Sequence, residues 1–308
     1  MAQSAQQQDS RGPCGLDESR QRVLTRPPEV GKNKIEIKDM FSVLIAVYAK
    51  ELPQNLQQSL ESIFRQELMP NEVVLVEDGP LTAALEQVVT ETADKHQELH
   101  IVRLPENIGL GLALQEGLQH CRYDIVARMD SDDIAHPQRF SKEMAWLEAH
   151  PETDIVGSWV DEFSGDPSQV ISTRRLPETH EEILRFSRYR NPMNHPTVMM
   201  RKEAVLRAGN YQHCPLFEDY DLWVRMLRRG ARFHNLQESL LSFRLTSQLF
   251  SRRGGSHYIR QEIRFQRHLR ALGHISYWQM SLNVVLRTLL RLLPKGCRRY
   301  GYLFFLRR

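Results

Sequence analysis

Short apolar runs along the chain alternate with stretches whose apolar residues recur at helical spacing. FSVLIAVY (41–48) is followed by Leu56, Leu60, Ile63 and Phe64, and then by EVVLVED (72–78), which Gly79 and Pro80 close. A helical pattern over 83–95 leads to LHIVRL (99–104), and a second over 109–121 leads to YDIVARMD (123–130). Runs rich in Val and Ile on both faces, separated by helices, predict parallel strands in βαβ units with right-handed crossovers. The expected class is α/β, a mostly parallel sheet flanked by helices. Ligands in such sheets sit beyond the carboxyl ends of the strands. That rule gathers Tyr48, Glu77, Asp78 and the run Asp130-Ser131-Asp132-Asp133 on one edge.

Composition refines this picture at the two ends. The 308 residues, 41% hydrophobic and 26% charged, suit one large domain with an extension. The net charge of +3 conceals an uneven distribution: from Arg252 onward thirteen Lys and Arg face one acid, Glu262, so the preceding chain is net acidic. The Gln- and Ser-rich opening reads as a flexible extension, which divides the chain into 1–38, a domain over 39–253 and a basic tail over 254–308. In the tail, Leu, Phe and Val alternate with Arg at helical spacing, as in an amphipathic helix lying on anionic lipid. A basic helix packed on the acidic body and a nucleic-acid patch are the other readings; no nucleic-acid partner is expected. The longest uncharged run, 271–286, includes His274, Gln279 and Asn283 and falls short of the roughly 20 apolar residues of a membrane span. Four scattered cysteines without a CxxC pair suggest neither zinc nor a disulfide framework, which fits a reducing cytoplasm.

The acids carry the candidate chemistry. Two carboxylates one residue apart in an extended turn can offer oxygens to a hard divalent cation, which relieves their repulsion and neutralises phosphates. A simpler use is capping the helix expected from Pro137 through Trp146, but a cap needs one acid, not three. Asp78 can accept a hydrogen bond from a nucleobase N–H, or close a strand-to-helix turn. Asn107-Ile-Gly-Leu-Gly is a loop suited to close backbone approach. Glu218 and Asp219 open a helix expected to reach about Arg229, where acids favour the helix dipole and can also serve as a general base. His195, in Asn-Pro-Met-Asn-His-Pro-Thr, is a candidate on the acceptor side or a loop residue holding backbone carbonyls.

Taken together and in this order, these segments resemble the family 2 glycosyltransferases of the GT-A, Rossmann-like fold, in the branch that builds bacterial capsular, exopolysaccharide and O-antigen chains. The likeness runs from about Phe41 to Arg253, through SVLIAVY, VVLVEDG, ARMDSDD, NPMNHPTVMMRKEAV and FEDYDLWVR. It implies an inverting, metal-dependent transfer from a nucleotide-sugar, with a UDP-sugar as the expected donor, to a hydroxyl of a saccharide or polyprenyl-linked saccharide acceptor. Residue by residue, it implies donor contacts from Ala46, Tyr48, Asp78, Asn107, Arg128 and Asp130. Asp132 and Asp130 would ligate Mg²⁺ or Mn²⁺, Asp219 would be the general base with Glu218 beside it, and His195 and Trp223 would lie on the acceptor side. The implied location is cytoplasmic, peripheral on the inner face of the membrane through the basic tail.

The chain departs from the family pattern in places. Phe243-Arg244-Leu245-Thr246 stands where many relatives carry Tyr-Arg-Val-His, so a diphosphate-side histidine is missing; Arg244, Arg252 and Arg253 are candidate substitutes. Leu114-Gln115 replaces an Arg-Asn pair, and no processive Gln-x-x-Arg-Trp signature is present. Donor and acceptor specificity is expected in loops such as 161–190. A non-catalytic sugar-nucleotide-binding scaffold is the alternative that the missing histidine favours. A nucleotidyltransferase would want a Gly-rich basic loop in place of AVYAKELPQN. An aspartyl phosphatase would want its Asp pair after the first strand, with Thr or Val where Ile134 stands.

Overall fold

The computed structural model describes residues 40–246 and 255–292. The extension expected over 1–38 lies outside the described residues, as do Arg252, Arg253 and the chain after 292. The first half follows the predicted alternation: β1 (Phe41–Val47), α1 (Pro53–Ile63), β2 (Glu72–Glu77), α2 (Ala83–Lys95), β3 (Leu99–Arg103), α3 (Leu110–His120) and β4 (Ile125–Asp130). Then come β5 (Ile134–Ala135), α4 (Arg139–Ala149), β6 (Ile155–Phe163), β7 (Val170–Arg174), α5 (His180–Phe186), a 3-10 turn over His195–Thr197, and β8 (Met199–Arg201). The remainder comprises α6 (Lys202–Arg207), α7 (Glu218–Arg228), β9 (Phe233–Arg244), α8 (Gly255–Ala271) and α9 (Tyr277–Leu292).

The strands form one sheet in the order β3-β2-β1-β4-β8-β6-β9-β5, with β7 beside β6. β3, β2, β1 and β4 are parallel, as the Val/Ile runs predict. Beyond them the sheet is mixed: β8 runs antiparallel to β4 and β6, and β9 runs parallel to β6. Both sheet faces are covered, which is why β1 reads as continuously apolar: Leu44 joins one core cluster with Trp223, while Val43 and Ile45 join the other with Leu56 and Phe140. A third cluster, containing Phe217, Tyr220, Phe265 and Leu269, packs α8 onto α7. The loop expected over 161–190 is instead the end of β6, its hairpin partner β7 and the capped helix α5.

One feature of the strand order positions the site. β4 and β5 are separated in the chain only by Ser131-Asp132-Asp133, yet β8, β6 and β9 lie between them in the sheet. The far end of the sheet therefore curls back to the end of β4, where β5 pairs with Leu241 and Ser242 of β9. The acidic turn is thus held from both sides.

Candidate active site

The register of the parallel strands aligns the carboxyl ends: Ala46 pairs with Val76 on one side and with Asp130 on the other, and Val47 pairs with Glu77. Asp78 follows β2 directly. Its carboxylate accepts hydrogen bonds from the Asn107 side chain (2.9 Å) and from the backbone N–H groups of Ile108 (2.7 Å) and Gly109 (3.1 Å). Asp78 therefore clamps the Asn107 loop, and Asn107 itself stays exposed. Gly79 makes the approach possible: its φ is +84°, and a Cβ there would meet Asn107 N at 2.7 Å. Glu77 does not face this edge. It is buried and ion-paired with Arg103 (3.1 Å), and burial raises its pKa despite that partner. The sequence placed both acids on the ligand edge; the strand pleat turns Glu77 away.

Asp130, Asp132 and Asp133 bring ligand oxygens within 4.8 Å of one another. Asp130 and Asp132 are half-buried and Asp133 is fully buried. Burial, with Asp130 and Glu51 nearby, pushes Asp132 up to about 7. Burial and the neighbouring acids hold Asp133 well above the carboxylate range. Asp133 Oδ1 accepts from Arg244 N (2.9 Å), while its Oδ2 is buried without a hydrogen-bond partner. An orphaned buried oxygen beside two repelling carboxylates suits a hard divalent cation, so the residues fit the Mg²⁺ or Mn²⁺ that the sequence implied. None of these acids caps α4, which begins at Arg139 after a Gln138 that makes no side-chain cap.

The turn is braced by residues that sequence reasoning passed over. Ser59 Oγ donates to Asp130 O (2.8 Å), and Arg244 Nε donates to Asp132 O (2.8 Å) while its Nη2 reaches Gln58 (2.6 Å). Arg244 also lies over the Phe163 ring (4.6 Å). Its guanidinium is therefore spent on holding the turn. Beneath β4, the fully buried Arg139 pairs with Glu143 (3.2 Å) and donates to Arg128 O (2.7 Å). Its place in His-Pro-Gln-Arg-Phe, directly after the acidic turn, was the available signal.

Arg128 lies between the acidic turn and a second acidic pair. It is fully buried and forms an ion pair with Asp130, and its Nε and Nη1 have no hydrogen-bond partner. Burial works against its charge, but Asp130 holds its pKa above the ordinary value. The same charge bears on Asp132, Asp133, Glu218 and Asp219. Glu218 and Asp219 form the first turn of α7, where Gly111 of α3 lets the two helices meet; a Cβ on Gly111 would lie 3.1 Å from the Glu218 Cβ. Asp219 accepts from Tyr220 N (2.7 Å) and from the Asn191 side chain. Burial raises its pKa, and burial together with Asp219 pushes Glu218 up to about 7. Near-neutral proton affinity is what a general base needs.

The two acceptor-side candidates lie behind this site. His195 is buried, with Nε2 2.9 Å from Tyr211 Oη and its ring edge-on to Trp223 (5.8 Å). Burial and the Arg128 charge hold its pKa well below the ordinary value. Trp223 is fully buried in the core between His195 and Phe233. An aromatic on the apolar stripe of an amphipathic helix goes inward, as Trp223 does here. Asn191, four residues before His195, is the member of that segment that touches the acidic pair. Tyr48 is half-buried at the end of β1.

Comparison with known proteins decides the family. The model of the glycosyl transferase family 2 domain matches residues 42–209. The chain belongs to that family. The amylovoran biosynthesis glycosyltransferase AmsE of Erwinia amylovora is 41% identical over 85% of this chain and 98% of its own length. The Escherichia coli UDP-Gal:alpha-D-GlcNAc-diphosphoundecaprenol beta-1,3-galactosyltransferase is 36% identical over 87% of this chain and 97% of its own. Among solved structures, S. aureus TarS 1-349 in complex with UDP-GlcNAc has a TM-score of 0.57 at 16% identity, covering 87% of this family 2 chain and 71% of that one. A Pyrobaculum calidifontis mannosyltransferase in complex with GDP-Man and Mn²⁺ has a TM-score of 0.53 at 18% identity, covering 74% and 61%. These likenesses establish the GT-A fold for this glycosyltransferase.

Proposed function

We propose that this glycosyltransferase transfers a sugar, with inversion, from a UDP-sugar to a hydroxyl of a lipid-linked saccharide diphosphate in surface-polysaccharide biosynthesis. The observation that carries the reading is the pair of acidic groups on either side of Arg128, one clustered to hold a cation and the other of raised proton affinity at the start of α7. Relatives of similar length named for amylovoran synthesis and for a diphosphoundecaprenol acceptor support the substrate class.

In this reading Asp219 takes the proton from the acceptor hydroxyl. The oxygen attacks the anomeric carbon, and the bond from that carbon to the diphosphate oxygen breaks, leaving its electron pair on the departing nucleoside diphosphate. Asn191 and the Tyr220 N–H orient the Asp219 carboxylate. Glu218 shares its proton load, and Arg128 stabilises the ionised form of the pair. Asp130, Asp132 and Asp133 would hold Mg²⁺ or Mn²⁺, which supplies positive charge against the diphosphate. Ala46, Tyr48 and the loop that Asp78 clamps, with Asn107 at its exposed tip, would form the nucleoside wall. Arg244 is committed to the acidic turn and does not replace the diphosphate-side histidine; the other named substitutes, Arg252 and Arg253, lie outside the described residues.

The test is a panel of UDP-, GDP- and dTDP-sugars with Mn²⁺ or Mg²⁺, read as thermal stabilisation and slow donor hydrolysis. One UDP-sugar is expected to raise Tm only with the cation and to be hydrolysed. Stabilisation without hydrolysis or transfer would favour the non-catalytic scaffold, and a folded protein that no nucleotide stabilises would contradict the transferase chemistry.

A further inference from the structure

Helix α9 presents two unlike faces. On one, Asn283 donates to Gln266 (3.0 Å) and to Arg188 O (2.9 Å), and Arg287 pairs with Glu262 and the Tyr189 carbonyl; Met280 packs beside the third core cluster. On the opposite face, at helical spacing, stand Trp278, Leu282, Val285, Leu286 and Leu289. Trp278 is 83% exposed and the other four are at least 50% exposed. A contiguous apolar stripe of this kind is costly in water and marks a surface that is covered in use. Among the described residues, the inner face is pinned to α8 and the outer face is exposed.

Charge identifies the occupant. From Ile263 to Arg308 the sequence has ten Lys and Arg and no Asp or Glu. A second copy docked through this face would bring two such like-charged segments together, which disfavours a dimer. A surface that is both anionic and apolar beneath meets both demands. Among the described residues no helix is long and apolar enough to cross a membrane, so α9 would lie in the interface plane rather than span it. An exposed Trp at the edge of the stripe suits the headgroup boundary.

We propose that this face of α9 docks on an anionic lipid bilayer, with Trp278, Leu282, Val285, Leu286 and Leu289 buried among the acyl chains. The inference deepens the reading of a lipid-linked acceptor and rests on it for its purpose. The structure gives docking a consequence for the site. α8 joins α9 to the catalytic helix: Phe265 stacks on Phe217 (4.4 Å), and His268 bonds Asp221 (2.7 Å) within α7. Glu218 and Asp219 are therefore carried on a helix whose orientation to the bilayer is set by α9.

The experiment uses the full chain with vesicles of phosphatidylcholine alone or mixed with phosphatidylglycerol, read by co-sedimentation and by quenching of Trp emission with bromine-labelled acyl chains. Wild type is expected to bind the anionic vesicles. Trp278→Glu and Leu286→Glu should each weaken partitioning by roughly tenfold or more. Donor hydrolysis, measured in the same samples, should be unchanged in both variants, because these residues touch nothing in the site. Wild type that ignores anionic vesicles, or variants that bind like wild type, would overturn the proposal. So would self-association by light scattering that Leu286→Glu abolishes, which would assign the face to a second copy. Vesicle binding without donor turnover would leave this proposal standing and contradict the transferase reading instead.

Discussion

At the residue scale, the chemistry follows from carboxylates placed where they cannot all ionise cheaply. Burial, with Asp219 beside it, pushes Glu218 up to about 7, and burial raises Asp219 above the ordinary carboxylate range. The base must be unprotonated, so kcat is expected to fall toward acid pH at a higher pH than an ordinary aspartate would give. In Glu218→Gln this acid limb should persist, because burial is what raises Asp219. Asp132 makes a stability claim. Its folded pKa of about 7 exceeds the unfolded value of about 3.9, so the folded protein holds an extra proton between these limits. That stabilising contribution is complete below about pH 4 and is lost as pH rises through 7. Asp132→Asn is therefore expected to stabilise the metal-free protein at pH 8, by something on the order of 1–3 kcal/mol, while losing any stabilisation by Mn²⁺. Equal or lower Tm in this variant at pH 8 would show that the acid is not held at a cost.

At the element scale, two glycines set how closely the site is built. Gly79→Ala would force a side chain into the left-handed region and against Asn107 N, so the Asp78 clamp should loosen. A loss of about 1–3 kcal/mol in stability is expected, with KM for the donor rising more than kcat falls. Gly111→Ala would press on Gln212 O (2.8 Å) and the Glu218 Cβ, displacing the start of α7. Here kcat should fall more than KM changes, by roughly tenfold or more. The parallel strands and their ends were legible in the sequence because each is a Val/Ile run bounded by a helix, a local signal. The strands beyond β4 were not: β8 has three residues, and β6 pairs with β9 across about 80 positions, so their partners are non-local. The DSDD turn and the Glu218-Asp219 pair announced themselves by acid density. Arg128 was named only through the family likeness, as a donor contact, since its burial between the acids is a tertiary feature, and that Trp223 would lie in the core was not legible either.

At the scale of the whole molecule, the curl of the sheet converts distant sequence into one site. β9 returns to brace the end of β4, α3 and α7 meet over Gly111, and α8 links α7 to α9 with its exposed apolar stripe. In the proposed reading this architecture divides the labour: the acidic turn would hold the donor through a cation, and α7 would supply the base. The most direct test measures UDP-sugar binding and sugar transfer side by side in Asp132→Ala and Asp219→Asn with Mn²⁺ present. Asp219→Asn is expected to bind donor like wild type and to lose roughly a thousandfold or more in transfer, while Asp132→Ala loses binding itself. Transfer at the wild-type rate by Asp219→Asn, or undiminished donor binding by Asp132→Ala, would contradict the account.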